Sequence, residues 1–389
     1  MSNLIPSLET FAKGSAATAA GLGTIGMGLL YYGQNFLIYP SAFPPGSREN
    51  VPVPTDFSLP YSDLELTTPD NVKLKSYLLM QRPVLHINGE TFIEWNEDKQ
   101  GDEEESYLNA GTKFAATRPT VIMFHGNGGN HGHRIPLAKI FYLKMRCNVL
   151  MLSYRGYGLS EGTPSEKGLQ TDAQTALDFV LGNESLSGTP VVLYGQSIGG
   201  AVAIDLASKN PHVIRALILE NTFMSLPRLI PTALPWLSPF SFLCHQKWES
   251  YLKVPKISKQ IPVLMLGGAQ DEVVPRSQMQ ELWALVRNRG RTPSPSTPIE
   301  NVSSSASAIA TGRISAASSP VKASAPGEPR KEIKEGEATR DRATPTTEVD
   351  GINKYMEFAE GTHNDTCIQP GYWTAIAEFV AGLGASATI

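Results

Sequence analysis

The chain has 389 residues, of which 41% are hydrophobic and 18% are charged, so it is long enough to bury one large core. Its formal net charge of -4 argues against nucleic-acid binding, because nucleic-acid-binding domains usually display a basic surface. Its 3 cysteines are too few for a disulfide framework. Composition therefore indicates a globular protein that has neither a nucleic-acid partner nor a disulfide scaffold.

An uncharged apolar stretch lies near the N-terminus. No charged residue occurs between Lys13 and Arg48, and residues 15–32 are mostly Ala, Gly, Leu, Ile and Met. Crossing a bilayer core takes about 20 mainly apolar residues, so a single-pass anchor is predicted at 15–38, behind a tail at 1–14. The alternatives are a helix that lies on the domain and a cleaved signal peptide, which the lack of a small-residue cleavage site disfavours.

The flanking charges also predict an orientation for this anchor. Lys13 precedes the stretch and no basic residue follows it before Arg48, which favours a lumenal or exoplasmic position for the domain that follows. We therefore expect a single-pass protein of the endoplasmic reticulum or another endomembrane. In a lumenal domain, Asn183 and Asn301 would be glycan acceptors, since each begins an Asn-x-Ser sequence.

Two segments with alternating apolar residues come next, at 64–68 and 72–78, on either side of an Asp-Asn turn. A period of two residues is typical of strands, so we predict a half-exposed hairpin at a sheet edge. The acidic run at 96–105 is interpreted as solvated, within a loop at 92–118.

Short apolar segments then alternate with helical ones. Strands are predicted at 121–124, 147–152, 191–194, 216–219, 261–266 and 354–358, with helices at 169–181 and 199–208. This alternation indicates an α/β fold with a mostly parallel, doubly wound sheet and helices on both faces, in a domain over 58–389. The loops at the C-terminal ends of such strands gather at one edge and form the functional site.

One of these loops holds a serine in a distinctive setting. The sequence Gly-Gln-Ser-Ile-Gly-Gly at 195–200 directly follows the strand at 191–194. Small residues two positions before and after Ser197 let a sharp strand-to-helix turn close, which exposes the Oγ atom of a nucleophile in strained geometry. Gly-x-Ser-x-Gly alone is a weak signal in a chain with 34 glycines, so the other motifs of the chain decide whether Ser197 is predicted to be catalytic.

An acid and a histidine follow Ser197 in the order that this type of sheet requires. Asp271 lies on the loop after the strand at 261–266, and His363 lies on the loop after the strand at 354–358. We therefore predict a catalytic triad in which Ser197 is the nucleophile, His363 the general base and Asp271 the acid that orients the histidine.

A glycine-rich loop at 125–130 follows the strand at 121–124. Glycine allows backbone N–H groups to approach a substrate closely. Because the oxyanion hole of such enzymes uses one N–H from this loop and one from the residue after the nucleophile, the amides of Asn127 and Ile198 are the predicted donors.

Other reactive side chains do not match the pattern of a metal site or of a second nucleophile. His125, His131 and His133 are close in sequence but lack the paired spacing and fourth ligand of a zinc site, so no metal or cofactor is expected. His125 is expected to brace the oxyanion loop instead. Cys367 follows His363 by four residues but has no elbow turn, so it is not predicted to be a nucleophile.

Two regions interrupt the predicted scaffold. Residues 222–258 are interpreted as a small lid, which either contacts an acyl chain or simply packs on the core, and their prolines argue against long helices. Residues 288–350 are rich in Ser, Ala, Pro and Thr and are predicted to be a disordered insertion. Lengthening a loop tenfold costs only about 2 kcal/mol, so Asp271 and His363 can still meet across it.

Together these motifs resemble the α/β-hydrolase superfamily and, within it, the fungal bud-emergence group with its animal single-pass relatives. Besides the serine turn and the segments around Asp271 and His363, the resemblance rests on residues 34–40, 67–72, 125–130, 133–134, 153–162 and 220–223. Asn71 is a departure, since that group usually has glycine there. The resemblance implies an α/β-hydrolase fold and adds protein depalmitoylation as an expected activity.

A serine at this turn excludes dehalogenase and epoxide hydrolase chemistry, which needs a carboxylate there. The predicted function is a membrane-anchored serine hydrolase that cleaves an acyl ester or thioester of a small molecule, a lipid or an acylated protein. The alternative is a catalytically silent scaffold in membrane or polarity organisation. It is disfavoured because a silent scaffold does not need all of the catalytic pieces.

Overall fold

The computed structural model of the chain describes residues 8–87, 90–93, 111–290 and 344–385. Its strands are β1 Ser62–Thr67, β2 Lys73–Leu79, β3 Val84–Ile87, β4 Glu90–Ile93, β5 Thr120–Phe124, β6 Asn148–Leu152, β7 Val191–Gln196, β8 Ile214–Glu220, β9 Val263–Gly268, β10 Thr346–Asp350 and β11 Asn353–Phe358. Its helices are α1 Leu8–Ile38, α2 Ile135–Lys144, α3 Glu166–Gly182, α4 Ile198–Lys209, α5 Leu226–Ala233, α6 Ser250–Lys253, α7 Arg276–Arg287 and α8 Tyr372–Ala385. Short 3-10 segments include Pro54–Phe57, His131–Arg134, Pro235–Leu243, Val254–Lys256 and Thr366–Ile368.

Within the described residues, nine strands form one mixed sheet in the order β1-β2-β6-β5-β7-β8-β9-β11-β10. Six strands that are adjacent in this order run parallel to one another: β6, β5, β7, β8, β9 and β11. The hairpins β1-β2 and β10-β11 are antiparallel and close the two edges, and β2 also runs antiparallel to β6. The predicted α/β fold, with its parallel core and antiparallel N-terminal hairpin, is confirmed.

The core lies on both faces of this sheet. Every residue of β5, β6, β7 and β9 is buried, as expected for parallel strands that helices cover on both sides. Successive residues point to opposite faces, so Ile122 joins an apolar cluster with Leu177 of α3 and Val202 of α4, whereas Val121 joins one with Phe141 of α2. The helices that the sequence predicts on both faces are therefore present, and they bury both sides of the parallel core.

The turn between β1 and β2 explains the departure at Asn71. Its φ angle is 61°, in the left-handed region that glycine adopts most easily and asparagine tolerates better than most residues. Thr68 supports the turn, since its Oγ1 donates to Asp70 at 2.6 Å and accepts from the N–H of Val72 at 2.9 Å. Asparagine thus satisfies the same backbone requirement as glycine.

The predicted insertion at 288–350 is wrong at both of its ends. At the N-terminal end, Arg289 is buried and donates to the carbonyl of Ile261 at 2.9 Å. At the C-terminal end, β10 pairs with β11, and the indole N–H of Trp283 donates to Glu348 at 2.7 Å. Residues of β10 are mostly exposed and polar, so no apolar pattern marked this strand. Residues 291–343 lie outside the described part of the chain.

The boundaries of the acidic loop also change. The prediction placed a loop at 92–118, but β4 extends through residue 93 and pairs antiparallel with β3 in a small second sheet. Residues 111–115 are helical, so the loop also ends earlier than predicted. The acidic run at 96–105 lies outside the described residues.

The N-terminal segment forms one helix of 31 residues, α1, which begins at Leu8, inside the predicted tail at 1–14. In the part of the chain that the structure describes, no helix combines the length and the apolar content needed to span a bilayer. The predicted transmembrane helix at 15–38 is therefore not supported. Much of this stretch is glycine and alanine, which add little hydropathy.

The region predicted as a lid, 222–258, folds into α5, α6 and two 3-10 segments between β8 and β9. The helix α5 is eight residues long and contains Pro231, in line with the expectation that proline keeps helices short here. Trp236 and Phe242 of the following 3-10 segment are exposed.

A buried ion pair fixes the end of β6 to α3. The backbone N–H and the Nε atom of Arg155 each donate to Asp172 at 2.8 Å, and the guanidinium also binds Asp70 in the β1-β2 turn. The side chains of Arg155 and Asp172 are only 8% and 0% exposed. Burial raises the pKa of Asp172 to about 6, and its hydrogen bonds and charge interaction with Arg155 oppose that rise.

We predict that Arg155→Met lowers the free energy of unfolding by about 3–5 kcal/mol, because it leaves the carboxyl of Asp172 buried without its partner. Urea unfolding of the detergent-solubilised chain measures this loss. The control is Arg228→Met, since Arg228 and Glu281 form an ion pair whose side chains are 50% and 54% exposed. Such a pair contributes about 0–1 kcal/mol, so equal losses in the two variants would contradict the assignment.

Candidate active site

Ser197 occupies a strained turn between β7 and α4. Its φ and ψ angles are 54° and -119°, a combination that residues other than glycine rarely adopt. The turn is held by the end of β8, because the N–H of Ser197 donates to the carbonyl of Glu220 at 2.9 Å and the hydroxyl of Thr222 donates to the carbonyl of Ser197 at 2.8 Å. The neighbouring strand thus supplies the bonds that keep Ser197 in this conformation.

Two glycines make the turn sterically feasible. A Cβ atom on Gly195 would lie 2.2 Å from the carbonyl oxygen of Gly199, and one on Gly199 would lie 2.1 Å from the carbonyl oxygen of Phe124. Both distances are far shorter than a carbon–oxygen contact allows. The Gly-x-Ser-x-Gly pattern is therefore a packing requirement of this turn.

The structure brings together Ser197, His363 and Asp271, which the sequence analysis predicted as a triad. Nε2 of His363 lies 3.1 Å from the Oγ of Ser197, and its Nδ1 lies 2.8 Å from Oδ2 of Asp271. The other carboxylate oxygen of Asp271 accepts from the N–H groups of Val273 at 2.8 Å and Val274 at 2.7 Å. Because a carboxylate accepts hydrogen bonds, Nδ1 carries the proton and Nε2 is free to accept from the serine hydroxyl.

Asn221 is a site residue whose role the sequence analysis missed. Its amide nitrogen donates to the carbonyls of Thr362 at 3.2 Å and His363 at 3.1 Å, and its Oδ1 accepts from the N–H of Gly268 at 2.8 Å. It therefore ties the histidine loop to the end of β9. The sequence did carry a signal for this role. Asn221 is an amide directly after the apolar strand β8, where it is buried, and it lies in the segment 220–223 on which the family resemblance rests.

Of the predicted oxyanion donors, Asn127 lies on the loop after β5, and Ile198 is the first residue of α4, directly after Ser197. Among the described residues, none accepts a hydrogen bond from the N–H of Asn127 or Ile198. The side chain of Asn127 is fixed on both sides, since its Oδ1 accepts from the hydroxyl of Tyr157 at 2.7 Å and its Nδ2 donates to the carbonyl of Ile38. The loop is thus held while its amide remains available.

His125 packs beneath this loop. Its ring lies 4.4 Å from that of Tyr154, whose hydroxyl donates to the carbonyl of His125 at 3.1 Å. Burial lowers the pKa of His125 to about 3, so the ring is neutral at physiological pH. These contacts match the expectation that His125 braces the loop.

A second buried carboxyl, Glu220, lies below the serine turn. It accepts hydrogen bonds from the hydroxyls of Tyr194 at 2.5 Å and Tyr372 at 2.6 Å, and burial raises its pKa. Asp271, not Glu220, contacts His363. Glu220 instead joins β8 to β7 and α8 under the site.

An apolar cavity of about 230 Å³ adjoins the site. It lies between α1 and the lid region, and Asn127 and Val273 line it on the side of the catalytic loops. Among the described residues that line it, none is charged. Its lining is therefore an apolar surface next to the loop that carries Asn127.

This sheet, with a serine turn after β7 and an acid and a histidine on later loops, is that of an α/β hydrolase, and a model of the alpha/beta hydrolase fold matches residues 119–242. The chain is 38% identical to Bem46 of Schizosaccharomyces pombe over 95% of this chain and 93% of that protein. It is 31% identical to YNL320W of Saccharomyces cerevisiae, named as an uncharacterized membrane protein, over 93% and 94%. The chain therefore belongs to the Bem46 group of α/β hydrolases, which confirms the resemblance to the bud-emergence proteins.

A solved structure shares the fold. The esterase Pf2001 of Pyrococcus furiosus superposes with a TM-score of 0.51 at 16% identity, covering 86% of this chain and 98% of that one. At this level of identity the likeness shows the architecture of the sheet and helices. The activity of this chain has to be argued from its own residues.

We predict that Gly199→Ala lowers the free energy of unfolding by at least about 1–3 kcal/mol, the usual cost of overpacking, because the new methyl group collides with a backbone oxygen of β5. Thermal or urea unfolding measures the change. Gly182→Ala is the matched control, since nothing lies within 4 Å of its added Cβ. That variant should be neutral or more stable by about 0.4–1 kcal/mol. Similar stabilities for the two variants would contradict the packing argument.

Proposed function

We propose that this protein is a serine hydrolase that cleaves an acyl ester or thioester. The observation that carries the proposal is the pair of contacts made by one imidazole, 3.1 Å to the Oγ of Ser197 and 2.8 Å to the carboxylate of Asp271. A serine hydroxyl becomes a useful nucleophile only when an oriented base can take its proton, and this arrangement provides that base.

In the proposed reaction, His363 accepts the proton of Ser197 while Oγ attacks the acyl carbonyl carbon. Asp271 keeps the proton of the neutral imidazole on Nδ1 and stabilises the imidazolium that forms. His363 then gives its proton to the leaving alcohol or thiol. A water molecule, deprotonated by the same imidazole, attacks the acyl-enzyme and releases the carboxylic acid.

The amides of Asn127 and Ile198 are the proposed oxyanion donors. As the carbonyl carbon becomes tetrahedral, its oxygen gains negative charge, and fixed N–H donors stabilise that charge more than they stabilise the ground state. Loss of one such donor typically costs about 3–4 kcal/mol in the transition state. The bonds from Asn127 to Tyr157 and Ile38 support this role, because they fix the loop before substrate arrives.

We further propose that the substrate is a lipid or an S-acylated protein at a membrane surface. Three features support this: the apolar cavity next to the Asn127 loop, the exposed apolar side chains of α1 and the lid, and the relative that is named as a membrane protein. The exposed side chains include Tyr32, Phe36, Trp236 and Phe242. Large apolar side chains that are exposed on α1 and on the lid are surface that a membrane or an apolar partner would cover.

We expect the detergent-solubilised chain to hydrolyse acyl p-nitrophenyl esters or acyl-CoA thioesters in a way that depends on Ser197. Ser197→Ala should abolish measurable turnover. Asp271→Asn should lower kcat by about 10⁴-fold, the loss caused by a wrong imidazole tautomer in such a triad. Comparing the two substrate series assigns ester or thioester preference.

The matched control is Ser208→Ala, on the helix that follows the serine turn, where the hydroxyl donates to the carbonyl of Asp205 and has no other partner among the described residues. This variant should retain the wild-type rate. Folded wild-type protein that turns over neither substrate series, and that does not react with a fluorophosphonate, would contradict the proposal and favour the silent scaffold.

A further inference from the structure

The cavity next to the Asn127 loop has two matching apolar walls. Leu30, Gln34, Leu37 and Ile38 of α1 form one wall, and their spacing of four, three and one residues places them on a single face of the helix. The opposite wall comes from α5 and the 3-10 segment after it, with these lining residues: Leu226, Leu229, Ile230, Ala233, Leu234, Leu237, Phe240 and Leu243. Both walls therefore offer aliphatic and aromatic surface to whatever lies between them.

Gln34 is the polar residue of the α1 wall, and its polar atoms form hydrogen bonds with the lid and with Tyr31 of α1. Its Oε1 accepts from the N–H groups of His245 at 2.9 Å and Gln246 at 3.2 Å. Its amide nitrogen donates to the carbonyls of Tyr31 at 2.9 Å and Leu243 at 3.2 Å. Gln34 thus fastens α1 to the end of the lid and leaves the cavity with apolar character.

The C-terminal end of α1 is also joined to the catalytic loops. Asn127 donates from its side chain to the carbonyl of Ile38, and Tyr39 accepts from the indole of Trp248 at 2.9 Å. The Asn127 bond holds the helix end against the loop whose amide is a proposed oxyanion donor, and the Trp248 bond holds the residue after the helix against the lid. The wall formed by α1 is therefore positioned by the same contacts that position the site.

The cavity meets the loops of the proposed site at two residues. Asn127 lies on the proposed oxyanion loop, and Val273 donates its N–H to the carboxylate of Asp271. An acyl chain whose carbonyl carbon sits at Ser197 would reach the apolar space past these two residues. An unbranched aliphatic chain matches the lining, because a polar or charged group would lose its hydration there without a partner.

We infer that α1 is part of the substrate-binding site: together with the lid it forms an acyl-chain groove, and the side chains of Leu30 and Leu37 limit the chain length that the groove accepts. This inference rests on the proposed function and adds a specificity determinant to it. The helix at the position of the predicted anchor thereby takes part in choosing the substrate.

The test uses the full chain in detergent and p-nitrophenyl esters from acetate to palmitate. Leu30→Trp fills the groove, so kcat/KM should fall at least tenfold for laurate and palmitate and stay within threefold of wild type for acetate and butyrate. Leu29→Trp is the matched control, because the neighbouring Leu29 is 70% exposed and does not line the cavity. Leu37→Ala, which removes volume, should shift the preference towards longer chains.

A binding measurement separates this inference from the proposed function. Fluorescent cis-parinaric acid, titrated into the Ser197→Ala protein, should bind at least tenfold more weakly when Leu30→Trp is added, and equally well when Leu29→Trp is added. If both tryptophan variants kept the turnover and the chain-length profile of the wild type, the groove would be overturned and the proposed hydrolase would stand. Leu30-dependent binding without any turnover in wild type would overturn the hydrolase and keep the groove.

Discussion

The site depends on one backbone constraint, the positive φ angle that Ser197 holds at the end of β7. Such a conformation costs a residue with a side chain about 1–3 kcal/mol, so it persists only where the surrounding structure over-determines it. Here the parallel pairing of β7 with β8 aligns Glu220 and Thr222 with the turn, and the two glycines let α4 approach β5. The same alignment places Asn221 against the histidine loop, so sheet register and triad geometry are linked.

Much of this arrangement could be predicted from the sequence, because parallel strands buried on both faces read as short continuous apolar runs. The positions of Ser197, Asp271 and His363 followed from the rule that functional loops gather at the C-terminal ends of such strands. What failed depends on contacts that leave no apolar pattern in the sequence. The exposed polar strand β10 exists through its pairing with β11, and the role of Asn221 arises where three loops meet.

The N-terminal helix shows the limit of reading composition alone. Its uncharged apolar sequence suggested a bilayer span, but hydropathy diluted by glycine and alanine does not reveal which face of a helix contacts the domain. The contacts of Gln34 and Ile38 reveal this face, because Gln34 binds the lid and Ile38 binds Asn127. Tyr32 and Phe36 of the same helix stay exposed. One face of α1 therefore lines the cavity together with the lid, and side chains outside that face remain exposed.

The central claim, that the constrained serine is an activated nucleophile, is tested most directly by locating a covalent adduct. Detergent-solubilised protein would be treated with a fluorophosphonate, digested and examined by tandem mass spectrometry. The account predicts one phosphonylated position, Ser197, on the peptide that contains the Gly-x-Ser-x-Gly turn. An adduct on another residue such as Cys367, or no adduct on folded protein, would contradict it.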